Sequence, residues 1–415
     1  MDADLLLRAL TFSAGYNAAL VAVGATLLGI TAGAIGCFVL LRRRAMVSDA
    51  ISHATLPGIG IAFIIMASLG GEGRFLPGLL VGAAVTAGFG LWAVEWMTKR
   101  TRLTEDAAIG AVLSVTFGLG IVFLTIIQTL GIGKPAGLEG FLLGGAAAML
   151  RAEAISVLVM AGLVAVVIAL SWRRMVLVAF DQGYAETLGI KTNHTDRLMM
   201  LLALAVTVIG LKIVGLILIV ALMIIPPVAA RFWTDRADRM MLIAGGLGGI
   251  ACFLGTAISA SGDDLPTGAV IVLTATCLFT ISMLFAPSRG VLAAWLAWSR
   301  FQKVVHRRQG LLALSRGEPI LEPVSRRLLA REGLLQPDGV PTLEGKAAAR
   351  LVAEDEARWA LARRRDPDGA LAGRYDGLTP ITQVLTPDQI AVLDADVRGQ
   401  PALVAGVGGG RLAHE

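Results

Sequence analysis

The sequence predicts an all-α polytopic membrane protein with about nine transmembrane helices, followed by a small C-terminal α/β domain. The 415 residues are 56% hydrophobic and only 16% charged, and the mean hydropathy is +0.74. A chain of this composition is too apolar to be an ordinary soluble protein. The charges are unevenly spread, because residues 301–415 hold 16 Lys/Arg and 15 Asp/Glu of the 67 charged residues. A soluble part therefore follows a membrane part.

Nine apolar runs are candidates for membrane spans, since a helix needs about 20 apolar residues to cross the hydrocarbon core. We place them at roughly 16–41, 46–70, 76–97, 106–131, 152–171, 197–212, 214–231, 240–260 and 266–286. The 35 residues of 197–231 are divided near Lys212, because one ordinary span is shorter. Leu138–Leu150 is apolar but too short to cross. We expect it to be a re-entrant or interfacial segment that other helices bury.

Basic residues are concentrated in alternate loops between these runs. One set contains thirteen: Arg42, Arg43, Arg44, Lys99, Arg100, Arg102, Arg173, Arg174, Lys191, Arg197, Arg231, Arg236 and Arg239. The other set contains five: Arg8, Arg74, Lys134, Arg151 and Lys212. Because cytoplasmic loops are enriched in Lys and Arg, we predict that the N-terminus is outside and the C-terminal part is cytoplasmic. The same bias explains the net charge of +5 better than nucleic-acid binding does.

These observations divide the chain into four regions. We predict a transmembrane domain over 1–290, a linker over 291–310, a cytoplasmic domain over 311–400 and a disordered tail over 401–415. The last region is rich in glycine, a composition that does not support a packed core.

The sequence contains none of the common catalytic or nucleotide-binding motifs. Gly133-Lys134 and Gly345-Lys346 are followed by Pro and Ala, so neither completes a phosphate-binding GxxxxGK[ST] loop. Cys37, Cys252 and Cys277 lie in apolar runs at unrelated spacings, which favours core positions over a disulfide set or a metal cluster. We therefore predict a protein that is not an enzyme, and any ATP that it uses must be hydrolysed by another chain.

Asp49 and His53 are the polar pair that most needs an explanation. They lie four residues apart in an apolar run, a spacing that places both side chains on one face of a helix. Counted from Arg44, they lie roughly 8 and 14 Å into the bilayer. One interpretation is a hydrogen bond that joins helices. The other is a pair of ligands for a manganese, zinc or ferrous ion, and two ligands suit a path from which the ion must also leave.

The loop between the fifth and sixth runs contains a short amphipathic segment, Phe180–Ile190, that Gly189 would end. A connector between two spans is one interpretation of this pattern. The alternative is a helix on which a partner docks and pushes on the bundle.

Several segments resemble the permease subunits of ABC-type manganese, zinc and iron uptake transporters. The similarity is carried, in order along the chain, by Ser48–Gly58, Glu105–Ser114 with Gly118–Gly120, Phe180–Gly189, Leu211–Ala230 and Asp264–Gly268. Pro226-Pro227 departs from the more usual Pro-Ala of that family. Several matches in the expected order are more specific than any one of them.

The resemblance implies a function and a set of partners. It implies a permease that lies in the lipid of a bacterial inner membrane. The implied partners are cytoplasmic ABC ATPase subunits, a periplasmic or extracellular metal-binding protein, and a second permease subunit that is identical or related. Asp49 and His53 match motif positions on the metal path, so the metal is cargo and no cofactor is bound permanently. The positions that match the ATPase-coupling loop are Phe180, Asp181, Ala185, Leu188 and Gly189.

The C-terminal region resembles the winged-helix part of iron-dependent repressors. Ser325–Leu335 is predicted as a helix that Gly333 stops, Gln336–Pro341 as a turn-rich wing, and Thr342–Val352 as a capped helix. The region has few histidines and a nearly neutral charge, so we expect a docking or dimer-stabilising module and not a nucleic-acid reader.

Two other functions remain open at this point. One is a siderophore- or cobalamin-type permease, which would use a wide apolar path without the Asp49–His53 pair. The other is a membrane-anchored metal-responsive regulator, in which the spans sense the metal and residues 301–415 deliver the output.

Overall fold

The computed structural model describes residues 3–13, 15–70, 73, 75–130, 149–262, 265–365 and 372–399. The chain divides into two compact units, Met1–Ala293 and Ala294–Glu415. Throughout the described ranges, the regular secondary structure is helical.

The first unit is a bundle of helices. Its elements are α1 (Ala3–Leu10), α2 (Tyr16–Leu41), α3 (Ala45–Ser68), α4 (Leu76–Arg100), α5 (Glu105–Leu130), α6 (Arg151–Phe180), α7 (Gln182–Thr187), α8 (Thr192–Val214), α9 (Leu216–Arg231), α10 (Ala237–Ala260) and α11 (Thr267–Phe285). The chain is a multi-pass membrane protein, because eight helices in the described residues are long and apolar enough to span a bilayer: α2, α3, α4, α5, α6, α8, α10 and α11.

The described residues contain eight candidate spans where nine were predicted, and the difference lies at α9. The predicted break near Lys212 is confirmed, because α8 ends at Val214 and Gly215 adopts a positive φ of 85°. The second part, α9, has only 16 residues, which is short for a complete crossing. Residues 131–148, which hold most of the predicted re-entrant segment, lie outside the described residues, as do Asp263 and Asp264.

Close contacts between small residues hold the bundle together. α2 packs along α10, and a Cβ added at Gly29 of α2 would lie 2.6 Å from the sulfur of Cys252 and closer still to the carbonyl oxygen of Gly248. α3 and α4 approach each other in the same way at Gly58 and Gly82. Lipid tails are as apolar as the helices, so this packing supplies the association that hydrophobic burial supplies in water.

The second unit is also helical. α12 (Val291–Ser315) begins just before it and covers the predicted linker, and α13 (Pro323–Arg331), α14 (Leu343–Arg365) and α15 (Pro387–Gly399) follow, with single 3₁₀ turns at Ala372–Arg374 and Ile381–Gln383. The predicted cap of α14 is present, since the Thr342 hydroxyl oxygen accepts a hydrogen bond of 3.1 Å from the Gly345 amide. The predicted disordered tail, 401–415, lies outside the described residues.

The prediction of an α/β winged-helix domain is not supported. In the described part of the second unit, the β-type pairing at the expected wing is a single antiparallel bridge between Leu335 and Pro341. A tight turn closes the segment, with the Gln336 amide donating to the Val340 carbonyl at 2.8 Å. Only residues 332–342 separate α13 from α14, so the chain returns to helix on both sides of the bridge and longer strands do not form there.

A buried polar network supports the core of the second unit. The Arg308 guanidinium donates to Asp355 at 3.2 Å and to Glu356 at 2.9 Å, and the Ile381 amide donates to Asp355 at 2.8 Å. Tyr375 donates its hydroxyl hydrogen to Glu356. Burial and the adjacent Glu356 raise the pKa of Tyr375 to about 12.

The first prediction concerns the contact between α3 and α4. Gly82→Ala would place a methyl group 2.6 Å from the Cβ of Ala62 and against the Gly58 carbonyl. We expect a loss of about 1–3 kcal/mol in stability, because overpacking must push the helices apart. Thermal unfolding of the purified protein in detergent measures this loss. Gly88→Ala is the matched control on α4, since a Cβ there meets nothing within 4 Å. Equal melting temperatures for the two variants would contradict the prediction.

The second prediction concerns the polar network of the second unit. Asp355→Ala leaves the buried Arg308 charge with one partner fewer and the Ile381 amide without its acceptor. We expect a destabilisation of about 3–5 kcal/mol, measured as increased protease cleavage after residue 300 in the full-length protein. Arg350→Ala, which removes an exposed pair with Glu354, should cost less than about 1 kcal/mol. Similar cleavage of both variants would argue against the network.

Candidate functional site

The candidate site lies on α3, one to three turns from its start. The structure brings Asp49 and His53 together as their spacing predicts, with 3.4 Å between His53 Nε2 and Asp49 Oδ1. The His53 side chain is 19% exposed and the Asp49 side chain is 41% exposed. The distance is long for a hydrogen bond, so the two side chains touch without being locked to each other. Their exposed edges leave room for a third group.

The separation of these two atoms fits shared coordination of one ion. Ligand atoms that are each about 2.1 Å from a tetrahedral metal lie about 3.4 Å from each other. Carboxylate oxygen and imidazole nitrogen are ligands that manganese, zinc and ferrous iron accept. In chemical terms, the pair can hold a divalent cation without rearrangement of α3.

In the described part of the chain, the second ring nitrogen of His53 lacks the hydrogen bond that resident metal sites usually have. Among the described residues, His53 Nδ1 is buried and has no hydrogen-bond partner. Phe117 of α5 packs edge-to-face on the ring instead, with 5.1 Å between the ring centroids. Histidines of resident metal sites usually donate this second N–H to a carboxylate or a carbonyl, which fixes the ring. The apolar contact with Phe117 orients the ring without raising its basicity.

Other polar side chains of α3 do not add ligands to the pair. The Ser52 hydroxyl donates to the Ser48 carbonyl at 2.9 Å, and the Thr55 hydroxyl donates to the Ser52 carbonyl at 2.5 Å. Both hydroxyls are buried and satisfied by their own helix. In the part of the chain that the structure describes, no group of three or more His, Cys, Asp or Glu side chains could hold a metal ion.

An ion-pair network just before α3 determines where this helix begins. Arg42 Nε contacts Asp196 at 2.9 Å and Arg42 Nη1 donates to the Val178 carbonyl at 3.2 Å. Arg44 also contacts Asp196, and its Nε lies 2.8 Å from Glu105. The pattern of basic loops identified Arg42 and Arg44 only as charges that indicate topology and did not show this role. Their partners are more than sixty residues away along the chain, which local patterns cannot show.

The second candidate site is the segment around α7. Asp181 caps this helix by accepting a 2.9 Å hydrogen bond from the Tyr184 amide, and Ala185 is fully buried. Gly189 ends the turn with φ +74°, a conformation that glycine adopts without strain. Three of the five predicted residues therefore build the turn.

The same segment exposes apolar side chains. Phe180 and Leu188, the other two predicted residues, are exposed, as is Tyr184, which the predicted set did not include. Tyr184 and Leu188 are four residues apart and lie on one side of α7 and its last turn, whereas Phe180 ends α6 before the extended residue Asp181. The four-residue spacing from Leu188 would have indicated Tyr184. Exposed apolar side chains at a bundle end are a feature of docking surfaces.

Comparisons with known proteins agree with this architecture. The chain is 38% identical over 301 residues to the manganese transport system membrane protein MntC of Bacillus subtilis (strain 168), covering 72% of this chain and 67% of that protein. It is 34% identical to the zinc transport system membrane protein TroC of Treponema pallidum (strain Nichols), covering 69% and 93%. The solved structure of PsaBC from Streptococcus pneumoniae in complex with Fab is similar at a TM-score of 0.61 and 27% identity, covering 72% of this chain and 100% of that one.

The family assignment follows from the extent of these matches. Residues 16–286 match the ABC 3 transport family. This range contains the eight helices that could span a membrane, the Asp49–His53 pair and the α7 segment. The chain belongs to the ABC 3 transport family.

Proposed function

We propose that this protein is the membrane permease subunit of an ATP-driven importer of divalent metal ions. The observation that carries the proposal is the Asp49–His53 pair, which stands on an apolar helix with ligand atoms 3.4 Å apart. The names of the relatives add support, because they describe manganese and zinc transport system membrane proteins. Oxygen and nitrogen ligands suit both of these metals as well as ferrous iron.

Asp49 and His53 would contact the metal in transit. A carboxylate that is partly exposed within a span is costly in lipid, so something other than acyl chains should face it. We propose that a second permease subunit packs against this face and that the metal passes between the two. This reading requires no permanent cofactor, since the metal is the cargo.

The energy source would be a separate ATPase that docks on the exposed side chains of Phe180, Tyr184 and Leu188. α7 follows α6 after a single residue, Asp181, so a push on α7 would reach the long α6 directly. Asp181 and Gly189 keep the turn in shape. On the opposite side of the membrane, a metal-binding protein would deliver the ion.

The proposed orientation places α7 and the second unit on the cytoplasmic side of a bacterial inner membrane, with the N-terminus outside. The basic residues of the α2–α3 turn and of the loop that carries α7 favour this direction. In the structure these two segments lie at the same end of the bundle, because Arg42 contacts Val178 near the end of α6. The second unit would act there as a docking or dimer-stabilising module.

The third prediction tests the metal ligands. Asp49→Asn keeps the shape and a hydrogen-bond acceptor but loses the charge, so a purely structural role would survive it. We expect this variant and His53→Ala to lower metal uptake at least about tenfold. The measurement is cellular manganese, zinc and iron in a strain that depends on this gene, normalised to the permease in the membrane. Ser68→Ala, at the far end of α3, should transport normally. Full uptake by both site variants would remove the ligand assignment.

The fourth prediction tests the docking face. Leu188→Asp places a charge at the centre of the proposed contact, and we expect the amount of ATPase that co-purifies with the permease to fall about tenfold or more. Leu103→Asp is the matched control, because Leu103 is also exposed and lies in the α4–α5 loop at the same end of the bundle. Undiminished co-purification of the ATPase with the Leu188 variant would place the contact elsewhere.

A further inference from the structure

The first turns of α12 expose apolar side chains on nearly all sides. Val291, Leu292, Trp295, Trp298 and Phe301 are each between 41% and 60% exposed. Residues 291–299 contain no charged side chain. Unpacked apolar surface of this kind on a folded chain marks a contact with a partner or with a membrane.

Exposed tryptophan occupies one side of α12. Successive helical residues are about 100° apart, so Trp295 and Trp298 fall within about 60° of each other. Arg300 lies about 160° from Trp298, on a side where Leu296 and Val304 are exposed as well. Tryptophan side chains are enriched where water meets lipid, so the tryptophan side is the one that fits a membrane interface.

A basic groove adjoins the tryptophan side. It lies between α12 and α13, and Trp298, Lys303, Arg327 and Arg331 are among its lining residues. No acidic side chain lines it. His306 on its floor is held by the Ser325 hydroxyl, with 3.3 Å between Nδ1 and Oγ. Three cations beside one tryptophan favour an anionic, partly apolar ligand, and a phospholipid headgroup has both properties.

The chain connection keeps the start of α12 close to the membrane boundary. Only residues 286–290 separate α12 from the end of α11, the last helix that could span the membrane. Five residues reach at most about 17 Å. They are also tied to the bundle end, because the Ser288 hydroxyl donates to the Phe232 carbonyl at 2.5 Å and Arg289 contacts Asp235 at 2.8 Å. Val291, the first residue of α12, is therefore close along the chain to the end of the bundle.

We infer that the N-terminal half of α12 is a membrane-surface helix that binds anionic phospholipids. Trp295, Trp298 and Phe301 insert between headgroups and acyl chains. Lys303, Arg327 and Arg331 contact headgroup phosphates, Arg300 faces water, and Arg307 stays paired with Glu332. The bilayer around the spanning helices is thus also the partner of the second unit. This inference depends on the membrane location of the chain and not on which ion is transported.

The test uses full-length protein reconstituted in vesicles. In a Cys277→Ser background the remaining cysteines, Cys37 and Cys252, are buried, so a fluorophore can be placed through Trp298→Cys. We expect lipids with an acyl-chain nitroxide to remove most of its emission in vesicles of phosphatidylcholine and phosphatidylglycerol. The same fluorophore at Arg300→Cys, on the opposite side of the helix, should keep most of its emission.

Charge removal makes the test specific for anionic headgroups. We expect Lys303→Gln, Arg327→Gln and Arg331→Gln each to lower the ratio of lipid-bound to water-exposed label about fivefold, because each cation near an anionic surface contributes about 1 kcal/mol. Equal, weak quenching of the labels at Trp298→Cys and Arg300→Cys would overturn the inference. Shielding of the Trp298→Cys label by an added DNA duplex, without lipid quenching, would assign the groove to nucleic acid and would also overturn it.

Discussion

The ion pairs that join Arg42 and Arg44 to Asp196 and Glu105 are the constraint on which the candidate site depends. The side chains of Arg42 and Asp196 are mostly buried, and buried charges are stable only when they are paired. The network therefore brings the α2–α3 turn, the start of α5 and the start of α8 to one place. α3 begins at Ala45, directly after Arg44. The depth of Asp49 and His53 in the bundle consequently follows from where Arg44 is held.

Deeper in the membrane, close backbone contact replaces charge as the organising interaction. At the contact of Gly58 with Gly82, and of Gly29 with Gly248, there is no room for a Cβ atom. These contacts bury the faces of α2 and α3 that look into the bundle and leave the Asp49–His53 face less covered. α3 is therefore packed closely against α4 on one side, while the Asp49 side chain on the other side is 41% exposed.

Local sequence patterns predicted those features that depend on neighbouring residues. The four-residue spacing predicted that Asp49 would reach His53, the length of 197–231 predicted the break near Lys212, and Thr342 predicted the cap of α14. Features that depend on distant residues could not be predicted in this way. Asp196 gave no sign that it pairs with Arg42, and the histidine pattern did not show that His53 Nδ1 would be buried against Phe117.

The prediction of a wing in the second unit is not supported, and the reason is different. The resemblance to repressors came from the helices on either side of Gln336–Pro341, and those helices are present. A wing, however, needs backbone hydrogen bonds along two strands, and here the chain returns to helix within a few residues of the Leu335–Pro341 bridge on both sides. A helix-based resemblance thus predicted α13 and α14 correctly, although it carried no information about the segment between them.

The unpaired nitrogen of His53 supports the proposal that an ion passes this site and is not stored there. A resident metal centre commonly has three or four protein ligands, and a second hydrogen bond fixes each histidine. The pair here supplies two ligands, and in the described residues nothing polar holds Nδ1. Packing against Phe117 orients the ring without a hydrogen bond that would strengthen it as a ligand. Since a conducted ion must leave as readily as it enters, a site with two ligands and no such hydrogen bond suits the proposed transport better than a structural metal site.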